Sequence, residues 1–341
     1  CYSGHRPRKS AITGGLIQEV FVRRTICYCS AMTMISTKRP SLDQHLRTVS
    51  AAPDDLRHLI MDIAKTAKDI HHAIRTSEAG LSGNTNQFGE EQMKLDVLSD
   101  EIVARHLKES DTVATYISEE QNDIVELHPG APYSVAFDPL DGSSLIEANF
   151  SIGSIFGLYK GNSIVGQKPR DQVGALYFLY GPRTVLVYST GKGVHEFMLN
   201  DIGEFVLVRE FLGVGDTAKT YSPGNLRAVI DAPAYRALFN EWLDGGLTLR
   251  YSGCMVADVH HILSKGQGIF VNIGGSRYPE GKLRLVFECG PFAYLVEQAG
   301  GASSDGTQSI LQRTIEKPDQ RTPIIIGSKK EVQRVCSVLR N

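Results

Sequence analysis

The stretch FDPLDGSSLIEANF, residues 137–150, decides how the chain is read. Asp138 and Asp141 stand three apart around a Pro-Leu pair, and Gly142-Ser143-Ser144 follows at once. Asp-Pro and Asp-Gly are turn formers, so the local expectation is a tight turn after the apolar run YSVAF. Such a turn can aim both carboxylates the same way. The glycine lets consecutive backbone N–H groups close on an anion. Hard cations such as Mg²⁺ take a few carboxylates together with phosphate oxygens. Carboxylates for a cation beside N–H donors for phosphate is what phosphoryl transfer to water requires.

Working outward, a second pair of acids closes the β-rich run TVATYISEE: Glu119 and Glu120. On an ideal strand neighbouring side chains face opposite ways. Where the chain turns at a strand end, both can still reach one cluster. Residues 90–147 hold fourteen acids against three bases, although the whole chain of 341 residues has a net charge of only −2. That crowding implies either a solvated acidic face or a site for divalent cations. The compensating positive charge lies in residues 1–42, with seven Lys or Arg against the single acid Glu19. Because only this short head is basic, charge gives no support for nucleic-acid binding. No apolar run approaches the roughly 18 residues of a membrane span. The six cysteines, at 1, 27, 29, 254, 289 and 336, form neither a zinc pattern nor a disulfide framework. There is no GxxxxGK[ST] loop; STGKGVH falls short of it.

From Ser50 onward, Leu56, Leu59, Ile60, Ile63, Ala67, Ile70 and Ile74 recur at helical spacing, with Gly80 as a stop. His71 and His72 ride on this helix as packing or surface residues. A loop, GLSGNTNQFGEE, leads to a second helix through Ile102, Val103 and Leu107. The runs FSIGSIFGLY, VGALYFLYG, TVLVYS and EFVLVRE read as strands between turn residues. LTLRYSG, GIFVNI, KLRLVFE and TPIIIG read likewise, with helices expected at 255–265, at roughly 289–299 and at the C-terminus. Lys282 and Arg284 would share one face of the KLRLVFE strand. Interleaved helices and strands make the class α/β or layered α+β.

FDPLDGSS, ISEE, GEEQMKLDVLSDE and KLRLVFECGPFAYLVEQAGG together resemble the sugar bisphosphatase family of fructose-1,6-bisphosphatase and sedoheptulose-1,7-bisphosphatase, from about Ser50 to the C-terminus. DQVGALYFLYGPRT, YSPGNLRA and DGTQSILQRTIEKPDQRTPIIIGS favour the sedoheptulose branch. So does Asn272, which stands where fructose enzymes usually carry a sugar-contacting tyrosine. The resemblance implies an αβαβα sandwich with a helical N-terminal part and mixed sheets, of the lithium-sensitive phosphatase type. Residues 1–49 are then a head with a targeting, regulatory or disordered role. A metal and catalytic lobe spans roughly 50–215, and a sugar-binding lobe spans roughly 216–341 but lends Glu288 to the metal site.

By the same resemblance, Glu119, Glu120, Asp138, Asp141, Glu288 and the Leu140 carbonyl ligate two or more Mg²⁺, with Mn²⁺ as a substitute. Asp96 and Glu120 polarise the attacking water, and Glu90 is a loop acid of the catalytic set. Gly142, Ser143 and Ser144 hold the phosphate being cleaved. Asn225, Arg227, Arg250, Tyr251 and Lys282 meet the distal phosphate, with Arg250 reaching a neighbouring subunit's site. The implied reaction is hydrolysis of the 1-phosphate of sedoheptulose 1,7-bisphosphate. Fructose 1,6-bisphosphate is the alternative substrate, and a non-catalytic sugar-phosphate sensor is the reading from another class. A homo-oligomer, dimer or tetramer, is implied, without nucleic acid or membrane. The expected location is the cytoplasm, or a plastid if residues 1–42 act as a transit segment. The loop before FGEEQ lacks the cysteine pair of plastid sedoheptulose enzymes, and Pro132-Tyr133 replaces the Lys-Tyr of AMP-responsive enzymes. Neither a thioredoxin switch at that loop nor AMP inhibition is therefore expected.

Overall fold

The computed structural model describes residues 39–77, 80–85, 91–121 and 123–340. Glu90, and the head up to residue 38 with its targeting or regulatory reading, lie outside the described residues. The chain opens with α1 (Leu42–Thr48) and α2 (Asp54–Thr76), followed by the short pair β1 (Leu81–Thr85) and β2 (Glu91–Met93) and by α3 (Lys94–Glu109). Eight strands come next: β3 (Val113–Ser118), β4 (Val125–Glu126), β5 (Tyr133–Asp141), β6 (Ile152–Lys160), β7 (Gln172–Tyr180), β8 (Thr184–Ser189), β9 (His195–Leu199) and β10 (Phe205–Arg209). The remainder is β11 (Thr220–Gly224), α4 (Pro233–Asp244), β12 (Thr248–Leu249), α5 (Met255–Lys265), β13 (Ile269–Asn272), α6 (Gly290–Gln298), β14 (Ala302–Ser304), β15 (Ile324–Gly327) and α7 (Lys329–Arg340).

Two mixed sheets result. One has the order β10-β9-β8-β7-β6-β5-β3-β4, the other β12-β11-β13-β15-β14. Side-chain alternation sorts their residues into three cores. On one face of the large sheet, Val135, Phe137, Phe156 and Phe178 bury against Leu59, Ile60 and Ile63 of α2 and Val103 and Leu107 of α3. On its other face, Ala136, Ile155, Tyr177 and Val187 meet Val256 and Val259 of α5 and Phe292 and Leu295 of α6, together with Phe270, Ile324 and Ile326 of the small sheet. Residues one step along those same strands, Ile269, Val271 and Ile325, bury outward against Tyr235, Leu238 and Trp242 of α4 and Val335 of α7. Helices, sheet, helices, sheet, helices: this is the five-layer α/β sandwich expected.

The start of the packed fold is earlier than Ser50. Ser41 caps α1 by accepting from the Gln44 N–H at 3.3 Å, and Leu42 and Leu46 are buried. Arg57 of α2 reaches Asp43 at 2.6 Å, so residues 41–48 belong to the first helical layer and not to the head. His71 meets the Thr184 hydroxyl at 2.7 Å, in the packing role expected of it.

KLRLVFE is not a strand. Lys282 is exposed and Arg284 buried, so the two share no face. Leu285–Cys289 form one wide helical turn that runs directly into α6. All five residues of that turn are buried between the two sheets. Burial on every side overrides the period-2 pattern of the sequence. The turn also swings Glu288 toward the ends of β3 and β5.

Candidate active site

β3 and β5 are parallel neighbours with Ser118 opposite Phe137, so their chains leave the sheet side by side. The Glu119 N–H still bonds the Phe137 carbonyl at 3.1 Å. On a regular strand Asp138 and Asp141, three apart, would face opposite ways. The pairing with β6 shifts register between them, and this irregularity turns both carboxylates into one place. The turn is pinned: the Leu140 N–H donates to Asp138 Oδ1 at 2.9 Å, and the Ser154 hydroxyl donates to the Pro139 carbonyl at 2.7 Å. Glu288 arrives from the wide turn, its Oε2 accepting the Arg284 N–H at 2.7 Å. One carboxylate oxygen each from Asp138, Asp141 and Glu288 lies within 4.8 Å of the other two.

Three acids this close cannot all stay ionised without a counter-charge. Burial, followed by the charges of Glu119, Asp141 and Glu288, drives the Asp138 carboxyl well above the usual carboxylate range. Burial also raises Glu288 to about 8, with Glu119 adding to it. Asp141 is raised by burial too, against the opposing pull of the Val256 N–H, Cys254 and Lys282. The Arg284 guanidinium pairs with Glu119 inside this cluster and offsets part of its charge. A divalent cation fits the donor set: hard oxygens, three within coordinating reach of one point, and a desolvation cost that a bound cation would offset.

The phosphate half is equally constrained. Gly142 has φ +82°, a left-handed conformation, and a Cβ there would lie 2.8 Å from Cys254 Cβ. Glycine therefore satisfies both the backbone and the close approach of the α5 entrance. Ser143–Leu145 then form a 3₁₀ turn whose first N–H groups have no partner within the turn. Asp141 is tied to the same entrance, with Oδ2 accepting from the Val256 N–H at 2.7 Å and from the Cys254 thiol at 3.0 Å. Glu120 is oriented through its N–H, which donates to Ser118 Oγ at 3.1 Å; that hydroxyl in turn donates to Asp100 at 2.5 Å.

A cleft of about 540 Å³ joins these parts. Asp96, buried in the first turn of α3, lines it with Glu119, Glu120, Asp138, Leu140, Asp141 and Glu288. So do Gly142, Ser143, Ser144, Asn225, Arg227, Tyr251 and Lys282. Arg250 does not line it. That side chain is exposed and donates to the Leu249 carbonyl at 2.7 Å. Glu90 falls outside the described residues.

Several lining residues are not among those the sequence singles out: Arg277, Tyr278, Asp258 and, as a partner of Glu119, Arg284. Arg277 sits in GGSRYPEGK, a turn signature directly after a strand, and that context was the available signal. Nothing in the sequence marks the pairing of Arg284 with Glu119, 165 positions apart. Among the described residues, no helix is long and apolar enough to cross a membrane.

Comparison with known proteins gives two family matches. Residues 36–210 match the model described as "Fructose-1-6-bisphosphatase, N-terminal domain", and residues 214–340 match its C-terminal counterpart. A protein of Trichlorobacter lovleyi named fructose-1,6-bisphosphatase class 1 is 45% identical over 298 residues, covering 87% of this chain and 94% of that one. A chloroplastic sedoheptulose-1,7-bisphosphatase of Triticum aestivum is 40% identical over 312 residues, covering 89% of this chain and 78% of its own length. The crystal structure of Leishmania major fructose-1,6-bisphosphatase in holo form superposes with a TM-score of 0.82 at 34% identity, covering 89% of this chain and 99% of that one.

Proposed function

Given that the chain belongs to the fructose-1,6-bisphosphatase family, a family of metal-dependent sugar bisphosphatases, we propose that it hydrolyses the 1-phosphate of fructose 1,6-bisphosphate with Mg²⁺, giving fructose 6-phosphate and phosphate. The observation that carries this reading is the convergence of Asp138, Asp141 and Glu288 within 4.8 Å, beside the Gly142–Ser144 turn and in one cleft with Arg227 and Lys282. One end of the cleft suits a cation with a phosphate, and the other suits a second anion.

Asp138, Asp141 and Glu288, with Glu119, Glu120 and the Leu140 carbonyl, would hold the cations, which when bound polarise a phosphoryl oxygen and lower the pKa of water. Asp96 and Glu120 line the same wall and take the proton of the attacking water. The backbone N–H groups of Gly142, Ser143 and Ser144 donate to the phosphoryl oxygens and hold phosphorus in line with that water. The water oxygen bonds to phosphorus as the bond from phosphorus to the C1 oxygen breaks; the C1 oxygen takes a proton from solvent water in the open cleft, and the proton held by the carboxylates returns to solvent, so that the sugar leaves as the alcohol and phosphate is released. Asn225, Arg227, Tyr251 and Lys282 bind the remote phosphate, so its binding energy orients the reacting one. The exposed placement of Arg250 outside its own cleft supports its service to a neighbouring copy in a homo-oligomer.

Sedoheptulose 1,7-bisphosphate is the second reading. It is favoured by Asn272, in the place of a bulkier aromatic residue, and by the Triticum aestivum relative. The sequence motifs favour the seven-carbon sugar; the relatives at 44–45% identity, named for fructose, support the six-carbon sugar. Asp141→Ala tests the shared chemistry. It should abolish phosphate release while the circular-dichroism spectrum stays native, and near-normal turnover would sink the assignment.

A further inference from the structure

Asp96 and Glu120 reach the attacking water from two different elements. Asp96 belongs to the first turn of α3, and Glu120 follows the end of β3. Two carboxylates that serve one water must both stay within hydrogen-bond reach of it, about 2.6–3.2 Å. Neither the helix nor the strand end fixes that spacing alone. A link between them is needed.

Asp100 supplies the link. It stands four residues after Asp96, one turn further along the same face of α3. Asp96 lines the cleft, whereas Asp100 is buried and does not line it. Its Oδ1 accepts from the Ser118 hydroxyl, and its Oδ2 accepts from Gln121 Nε2 at 2.6 Å. Ser118 and Gln121 bracket Glu119 and Glu120. The turn between them is closed by the Gln121 N–H, which donates to the Ser118 carbonyl at 3.4 Å. Within it, the Glu120 N–H donates to Ser118 Oγ at 3.1 Å. Gln121 is oriented in turn: its Oε1 accepts from the Tyr116 hydroxyl at 3.3 Å, which leaves the amide NH₂ facing Asp100.

One carboxylate therefore grips both ends of the four-residue turn that carries Glu120. The helix behind it is held by Leu95, Val103 and Leu107 in the core. Bonds donated to a buried carboxylate are stronger than neutral ones, which suits a clamp. Removing it would leave the Ser118 hydroxyl and the Gln121 amide to find other partners, and the turn would shift with them. A displacement of about 1 Å at a reacting group costs up to about 10²-fold in rate.

We propose that Asp100 is a positioning residue for the hydrolysis: by bonding Ser118 and Gln121 on either side of the Glu119-Glu120 pair, it sets the Glu120 carboxylate against that of Asp96. This rests on the proposed sugar-bisphosphatase activity. The test measures kcat and KM on fructose 1,6-bisphosphate at saturating Mg²⁺, in the full chain, for Asp100→Ala, Asp100→Asn and Gln121→Ala, each alone and combined with Asp96→Asn. Asp100→Ala lowers kcat about 10- to 100-fold with KM within about twofold. Asp100→Asn keeps an acceptor for the Ser118 hydroxyl and recovers most of that loss. Gln121→Ala breaks the clamp from its less buried end and lowers kcat about three- to tenfold, so the test stands even where Asp100→Ala fails to fold. Because Asp96, Glu120 and the clamp act as a unit, both losses shrink below about twofold in the Asp96→Asn background. A kcat within twofold of wild type in Asp100→Ala or Gln121→Ala, or a loss of equal size with and without Asp96, overturns the inference while leaving the bisphosphatase reading intact. A wild-type chain that releases no phosphate from the bisphosphate overturns both.

Discussion

Glu288→Gln should make the metal-free protein more stable as it makes the enzyme inactive. Glu288 is buried among Glu119, Asp138 and Asp141, and its carboxyl is raised from 4.5 to about 8. The two states fix the sign. Below pH 4.5 the group is protonated folded or unfolded, and it costs nothing. Between 4.5 and about 8 the unfolded chain gains by ionising while the folded one holds its proton, so stability falls as pH rises. Above about 8 the penalty is complete, and at about 1.4 kcal/mol per pH unit its ceiling is about 5 kcal/mol. A carboxamide carries no such penalty. Its oxygen keeps the bond from the Arg284 N–H, and its NH₂ can donate to the neighbouring carboxylates. Allowing for relaxation around the site, the gain is set at about 2 kcal/mol at pH 8, or about 3 °C in Tm for a chain of this size. The assay is thermal unfolding in chelator at pH 8 and pH 5.5, repeated with Mg²⁺. The variant should melt above wild type at pH 8, by less than half that margin at pH 5.5. Mg²⁺ should raise wild type well above its own metal-free Tm and move the variant much less. A variant that melts below wild type in chelator at both pH values would refute the reasoning, because the cluster would then not be an electrostatic liability awaiting a cation.

Other perturbations isolate other parts. Gly142→Ala places a Cβ 2.8 Å from Cys254 Cβ at φ +82° and should cost about 2–3 kcal/mol in urea unfolding. Adding Cys254→Gly removes the clash and should return part of that loss; no recovery in the double variant would place the strain elsewhere. Asp96→Asn should reduce kcat by about 10²–10⁴ with KM within a few-fold, as expected of a residue that moves a proton. A rise in KM at constant kcat would assign Asp96 to binding instead. Trp242→Phe breaks the 2.7 Å bond from the indole to Glu331 between α4 and α7. It should lower stability by about 1–2 kcal/mol while kcat/KM stays put, a check that the outer core is remote from the chemistry.

The acids at the ends of β3 and β5 were legible because strand, turn and carboxylate spacing are local features. The same holds for the Gly-Ser-Ser turn and for α2, α3 and α5, each with a clear period or a clear stop. The features that stayed hidden depend on tertiary burial or on register between distant strands. KLRLVFE alternates like a strand, and only its complete enclosure between the sheets makes Leu285–Cys289 helical. Spacing pairs Arg284 with Lys282, whereas the fold pairs it with Glu119, just beyond the end of β3. Gly224 and Asn272 lie 48 positions apart and pack only because β11 and β13 are neighbours. α1 was lost in a basic head whose composition masks seven helical residues. β14 carries only three residues, too few for a period to show, and β11 (TYSPG) ends in a Pro-Gly that reads as a turn.

The most direct test is the initial rate of phosphate release by the wild-type chain from fructose 1,6-bisphosphate, with Mg²⁺ and with chelator, sedoheptulose 1,7-bisphosphate being run alongside. Release that requires Mg²⁺, vanishes in chelator and returns when Mg²⁺ is restored is the predicted result, with the higher kcat/KM on the six-carbon sugar. No release from either bisphosphate, or release indifferent to chelator, would contradict the reading of Asp138, Asp141 and Glu288 as a cation site for phosphate-ester hydrolysis.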